Sequence, residues 1–172
     1  MIETKDLKKH FQVGRGQTLH AVDGISMKIQ ENEILGLVGE SGSGKSTFGK
    51  ALIGLHPLTS GSTIYNGQTL PTKFNAADHL KYSKELQMIF QDPYSSLNPR
   101  MTVLDIVGEG LLIQGEVSRN VVKEQVADWL GKVGLNADHM SRYPHEFSRG
   151  YGRTRRICRF GPANGADLRR RA

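Results

Sequence analysis

The chain has 172 residues, 37% of them hydrophobic, 23% charged and 7% aromatic, the profile of one soluble globular domain with an ordinary core. No stretch approaches the roughly 18 consecutive apolar residues of a membrane-spanning helix, because even the run from Ile106 to Ile113 is interrupted by Glu109. The first residues, MIETKDLKKH, lack the apolar region of a secretory signal, and a single cysteine, Cys158, forms no internal disulfide, so both favour a cytoplasmic protein. The net charge of +6 is unevenly placed. Residues 149–172 carry eight Arg against one acid, Asp167, for +7, whereas residues 1–148 carry 15 bases and 16 acids, for −1. A nearly neutral body argues against nucleic acid as its partner.

Residues 1–33 alternate apolar and polar positions around turn residues, with Ile25, Met27 and Ile29 on one side, which predicts a half-buried β hairpin or meander. Ile34-Leu35-Gly36-Leu37-Val38 is a short apolar run between charge and glycines, the pattern of a parallel strand buried on both faces. A helix is expected from Ser46 to Leu55, ended by Gly54 and Pro57. Thr63, Ile64 and Tyr65 precede Asn66-Gly67, a strong hairpin signal. A second buried strand is expected at Leu86 to Phe90, then the turn Asp92 to Pro99 and an apolar segment from Val103 to Ile113. Finally Val122, Val126, Trp129, Leu130 and Val133 fall on one stripe of an amphipathic helix.

The residues Gly39-Glu40-Ser41-Gly42-Ser43-Gly44-Lys45-Ser46 fit G-x-x-x-x-G-K-[ST], and they follow an expected strand and open an expected helix, as that motif requires. Glycines let the backbone wrap an anion with its N–H groups inward, and the helix N-terminus adds partial positive charge. In this pattern Lys45 reaches the β- and γ-phosphates and the Ser46 hydroxyl is a ligand for Mg²⁺. The spacing thus predicts ATP or GTP binding. The histidines at 10, 20, 56, 79, 139 and 145 show no metal-binding spacing and read as scattered surface or core residues. Asp23 and Asp105 read as turn or helix-cap residues.

The segments AVDGISMKI, ILGLVGESGSGKSTFGKALIGL, SGSTIYNGQTL, LQMIFQDPYSSLNPRMTV and RYPHEFS resemble, in order and spacing, the ATP-binding subunit of ABC transporters. FQDPYSSLNPR is similar in particular to the dipeptide and oligopeptide importers. The resemblance covers residues 1–148, a partial ABC-type ATP-binding domain, and implies an α/β P-loop NTPase core with an N-terminal antiparallel β subdomain and a helical subdomain. It implies ATP and Mg²⁺ as ligands. The nucleotide set would be Phe11, stacking on adenine, with Gly39, Glu40, Ser41, Gly42, Ser43, Gly44, Lys45, Ser46 and Thr47; the alternative for Phe11 is a core aromatic. Gln91 matches the family's Q-loop glutamine, which with Ser46 contacts Mg²⁺, and with Lys45 completes the catalytic residues this chain offers. The implied partners are a second ATP-binding subunit, two transmembrane permease subunits and, indirectly, a solute-binding protein, on the cytoplasmic face of the membrane. The function implied is energy coupling for peptide import.

After RYPHEFS the chain departs from the family. Arg149 and Tyr151 replace the first Gly and the Gln of the signature, leaving only Ser148 and Gly150 in register, and no apolar strand ending in an Asp-Glu pair, nor a switch histidine, follows. The expectation is therefore that the C-terminal part of the core is missing, that 149–172 is an Arg-rich tail foreign to the fold, as a frameshift would produce, and that Mg-ATP is bound but hydrolysed very poorly. In the family's sheet the strands between Ile34–Val38 and Leu86–Phe90 come from that missing part, so both segments should expose apolar surface and favour aggregation. Two competing readings remain: a P-loop nucleotide-binding protein whose Arg-rich tail is a nucleic-acid-binding arm, and a P-loop small-molecule kinase, which leaves FQDPYSSLNPR unexplained.

Overall fold

A computed structural model describes residues 1–90, 97–113 and 118–147. They fall into two compact units, Met1–Tyr82 and the part from Ser83 onward.

In the first unit, β1 (Ile2–Gly14) and β2 (Gln17–Ile29) form a long antiparallel hairpin. β3 (Ser60–Tyr65) pairs with the other edge of β1, and β4 (Gln68–Thr69) completes a sheet of order β2-β1-β3-β4. The alternation expected over residues 1–33 is present, with Ile25, Met27 and Ile29 all half-buried. The register breaks between Thr4 and Leu7, where Asp6 adopts φ 46° and its N–H is met by the Ser26 hydroxyl at 2.9 Å. Buried Thr4 holds this bulge, donating to the Ile25 carbonyl and accepting from the Met27 N–H, both at 3.1 Å. The β3–β4 turn is the expected Asn66-Gly67 pair, with φ 47° and 81°, a combination that matches the twist of the flanking strands.

The helix α1 (Lys45–Leu52) packs Phe48 and Ala51 on Leu7 and Val22, and these four buried side chains are the centre of the unit's core. It stops as expected at Gly54, whose φ of 79° lets the Leu55 N–H bond the Lys50 carbonyl and the Gly54 N–H that of Ala51. A short helix, α2 (Ala76–Tyr82), follows. Its start is set by Asn75 and Asp78, each side chain accepting from the other's backbone N–H at 2.9 and 3.0 Å.

In the second unit, α3 (Val103–Ile113) and α4 (Arg119–Lys132) pack together. Val103, Ile106 and Val107 meet the predicted stripe Val122, Val126, Trp129 and Leu130, and Leu135, Met140 and Phe147 close the cluster. Gly108 is what lets the helices approach, since a Cβ there would lie 2.6 Å from Cγ1 of Val122. At the end of α4, Gly134 at φ 72° directs the Leu135 N–H to the Leu130 carbonyl at 2.8 Å, and Leu135 is buried. Two short 3-10 helices follow, Ala137–Ser141 and Pro144–Glu146.

Two expectations are corrected. Ile34–Val38 and Leu86–Phe90 are not strands, and neither is buried: Ile34 is 98% exposed, Val38 95% and Ile89 62%. A strand exists by its ladder, and among the described residues neither segment has a ladder neighbour. The expected exposure of their apolar side chains is present.

Candidate functional site

The glycine-rich loop runs from Gly39 into the first turn of α1, and the chain bends there by two left-handed residues, Gly42 at φ 84° and Gly44 at φ 87°. Gly44 is required twice over, because a Cβ would sit 2.1 Å from the Ala21 carbonyl oxygen. That close approach seats the loop against β2. The Phe48 N–H takes the Gly44 carbonyl at 2.8 Å, so the helix starts on the loop's last glycine. Lys45 turns its ammonium back across the loop, donating to the carbonyls of Gly39 (2.7 Å) and Glu40 and to the Ser43 hydroxyl (3.2 Å). A second bond, from the Ser43 N–H to the Glu40 carbonyl at 3.2 Å, closes the loop on itself. Gly39, Glu40, Ser41, Gly42 and Ser43 are exposed, as is Ser46, while Lys45 and Thr47 are half-buried.

Phe11 lies on β1 opposite Leu19, half-buried rather than in the core. The Lys9 ammonium stands 4.7 Å from its ring centre, and the His56 imidazole meets it edge-on at 5.5 Å. His56 is in turn tied to the end of α1, its N–H bonding the Lys50 carbonyl at 3.3 Å. Burial holds the His56 imidazole below its usual pKa, and the charges of Lys50 and Lys9 add to the effect. An aromatic ring with the Lys9 ammonium over it and an exposed glycine loop thus belong to one unit. Gln91, Ser148 and Gly150 lie outside the described residues.

Comparison with protein families matches residues 22–161 to the ABC transporter family. The chain belongs to that family. Its relatives include the oligopeptide transport ATP-binding protein OppF of Bacillus subtilis, 48% identical over 151 residues, and OppF of Escherichia coli, 44% identical over 163. Each alignment takes in 87% of this chain but 49% and 47% of the relative, so the chain spans about half the length of these proteins. Among solved structures, the ATP-binding cassette MJ0796, in a dimeric post-hydrolysis state bound to ADP and Pi, has a TM-score of 0.79 at 22% identity, covering 95% of this chain and 70% of that one. CbiO1 of Clostridium perfringens, part of the transporter complex cbiONQ, has a TM-score of 0.68 at 21% identity, covering 91% and 58%. The fold is that of ABC cassettes, as the sequence segments imply.

Of the residues read as caps or as scattered histidines, one reading holds and that of Asp23 with His10 and His20 changes. Asp105 is the helix-cap residue expected, its carboxylate accepting from the Thr102 hydroxyl at 2.6 Å while its N–H bonds that hydroxyl at 3.2 Å. Asp23 is not a cap. It bridges His10 and His20, two of the histidines expected to be scattered, because the β1–β2 register sets them directly opposite each other. No periodicity could have found this group, since it depends on a register shift between Lys9 and His10. Among the described residues no helix is long and apolar enough to cross a membrane.

Proposed function

We propose that this chain binds Mg-ATP on its glycine loop and belongs to the energy-coupling ATP-binding subunit of an importer for peptides. The observation that carries the reading is Lys45, whose ammonium is held across the loop by the Gly39 and Glu40 carbonyls at the N-terminus of α1. An incoming phosphate exchanges those carbonyls for its own oxygens, which bind an ammonium more strongly because they are charged. The loop from Gly39 to Thr47 supplies N–H groups and the helix N-terminus, and Phe11 takes the adenine on the ring face that the Lys9 ammonium does not cover. Ser46, exposed in the first turn of α1, offers a hard oxygen suited to Mg²⁺, which takes its remaining positions from phosphate and water. When bound, that ion neutralises charge on the transferring phosphate. Gln91 is proposed as its second protein contact.

The peptide class rests on the oligopeptide transport names of the relatives and on FQDPYSSLNPR. The partners are then a second ATP-binding subunit, facing this one across the nucleotides, and membrane-spanning permease subunits fed by a solute-binding protein, so the chain works on the cytoplasmic face of the membrane. Residues 1–148 form the ATP-binding part in this reading, and 149–172 are foreign to it. Hydrolysis needs a positioned water besides the charge stabilisation of the loop. No carboxylate pair follows an apolar run in this sequence, so these 172 residues bind nucleotide and turn it over very slowly. The nucleic-acid arm gains no support from relatives that are transport ATP-binding proteins.

The test is equilibrium titration with fluorescently labelled ATP in Mg²⁺ and in EDTA. Lys45→Ala should weaken binding at least tenfold. Loss of the stacked ring in Phe11→Ala should cost about 1–3 kcal/mol, roughly 5- to 150-fold, with Phe11→Tyr close to the parent. Parent-like affinity in Lys45→Ala would sink the reading, whereas phosphate release at the rate of a complete cassette would sink only its slow-turnover part.

A further inference from the structure

β1 and β2 gather a side-chain group that the nucleotide reading does not use. His10 and His20 face each other across the hairpin, their rings stacked at 3.9 Å between centroids and 23° between planes. The Asp23 carboxylate spans them, with Oδ1 3.2 Å from Nε2 of His10 and Oδ2 3.5 Å from Nδ1 of His20. The three ligand atoms all lie within 4.8 Å of one another. A tetrahedral ion with bonds of about 2.0–2.1 Å has edges of about 3.3–3.4 Å between its ligand atoms, and with one oxygen of Asp23 as the third ligand, small rotations of these side chains bring the three atoms from within 4.8 Å to that spacing. We propose that His10, His20 and Asp23 form a binding site for Zn²⁺, or for a divalent transition ion like it, with the fourth position left to water.

The donor chemistry selects the ion. Two imidazoles and a carboxylate suit Zn²⁺ and its neighbours in the transition series, whereas Ca²⁺ and Mg²⁺ want oxygen alone. One positive group competes, since the Lys8 ammonium is 3.8 Å from Oδ1 of Asp23, but it is also 3.7 Å from the Asp6 carboxylate and has that partner to keep. The site is open to solvent: the side chains of His20 and Asp23 are 56% and 53% exposed, so an ion enters without any rearrangement of the core. His10 and Phe11 are consecutive in β1 and face opposite sides of the sheet, which makes this site separate from the adenine face and independent of the nucleotide reading. Its effect is to tie β1 to β2 at a point where the register is irregular, and an ion bound only by the folded hairpin stabilises that hairpin by mass action.

The test uses the full chain with Cys158→Ser, so that no thiol supplies a ligand. Zn²⁺ affinity is read by competition with a chromophoric chelator, and coordination by the visible absorption of Co²⁺ in its place. The parent should take up one ion per chain with a tetrahedral Co²⁺ spectrum. His20→Ala and Asp23→Asn, both at exposed positions, should each weaken uptake at least tenfold with an unchanged far-UV circular dichroism spectrum, and His145→Ala should not. Zn²⁺ should raise the Tm of the parent and leave that of His20→Ala where it was. Absence of stoichiometric uptake, or uptake that His20→Ala and Asp23→Asn leave intact, overturns the proposal and leaves Asp23 as a bridge between imidazoles only.

Discussion

Gly44 and Gly42 make a matched pair, because both are left-handed but only one is crowded. At Gly42, φ is 84° and a Cβ would meet nothing within 4 Å; at Gly44, φ is 87° and the Cβ would fall 2.1 Å from the Ala21 carbonyl oxygen and 3.3 Å from its carbon. Gly42→Ala therefore carries only the left-handed penalty of an L-residue, about 1–2 kcal/mol. Gly44→Ala carries the same penalty and must also separate two backbone segments by at least about 1.3 Å to restore an ordinary contact, at a total of about 3–5 kcal/mol, in the range of a severe core substitution. Urea unfolding followed by circular dichroism measures the difference. With a slope of about 1–2 kcal/mol per molar for a small unit, Gly44→Ala should lower the midpoint by at least about 1 M more than Gly42→Ala, or abolish the folded baseline altogether. Midpoints equal to within about 0.3 M would show that the loop does not rest on β2, and the argument for its geometry would fail.

Leu130→Ala removes a fully buried side chain from the α3–α4 cluster, and should cost about 2–5 kcal/mol, seen as an early unfolding transition in the fluorescence of Trp129. His56 should give the first unit a pH dependence that His56→Gln abolishes. Its folded-state pKa lies below the ordinary 6.5 because the charged form is buried beside Lys50 and Lys9. The unfolded chain therefore binds the proton more readily, and stability should fall as pH drops through 6.5, levelling off below the folded pKa; a flat or opposite profile that the variant does not change would refute the assignment. Asp23, lowered from 3.8 chiefly by its bond to His10 and then His20, acts in a separate and more acidic window, contributing above 3.8 and ceasing to as pH falls through its folded value. Ile34→Lys with Val38→Lys should raise solubility without lowering the urea midpoint, since these side chains are 98% and 95% exposed and have no packing to lose; light scattering and the melt check both halves of the statement.

What the residues reveal by themselves depends on how local the cause is. The β3–β4 turn follows from Asn66-Gly67 and the α1 terminus from Gly54, because a left-handed backbone position selects its residue within one turn of chain. The α4 stripe is equally legible, since 3.6-residue periodicity is a property of the helix that carries it. The start of α2 was there to be found as well: Asn75 and Asp78 stand three residues apart and cap each other. Ile34–Val38 differs in kind. An apolar run records that a segment is meant to be covered, but the cover is supplied by strands distant in sequence, and burial cannot be read from the run when those neighbours are not beside it.

The same contrast separates the two candidate sites. The glycine loop is legible because one short stretch carries the whole device: glycines where φ is positive, a lysine long enough to cross back to the Gly39 carbonyl, and a helix that begins at once. His10, His20 and Asp23 carry no such spacing. Ten residues and then three separate them along the chain, and their meeting is a product of hairpin length, of the turn at Gly16 and of the register shift after Lys9. A single-residue slip of β2 would carry His20 to the other face of the sheet. Metal binding at this site is therefore also a measurement of register: uptake that depends on both His20 and Asp23 requires the bulged pairing of β1 with β2, and a regular hairpin of the same sequence would not bring the two together.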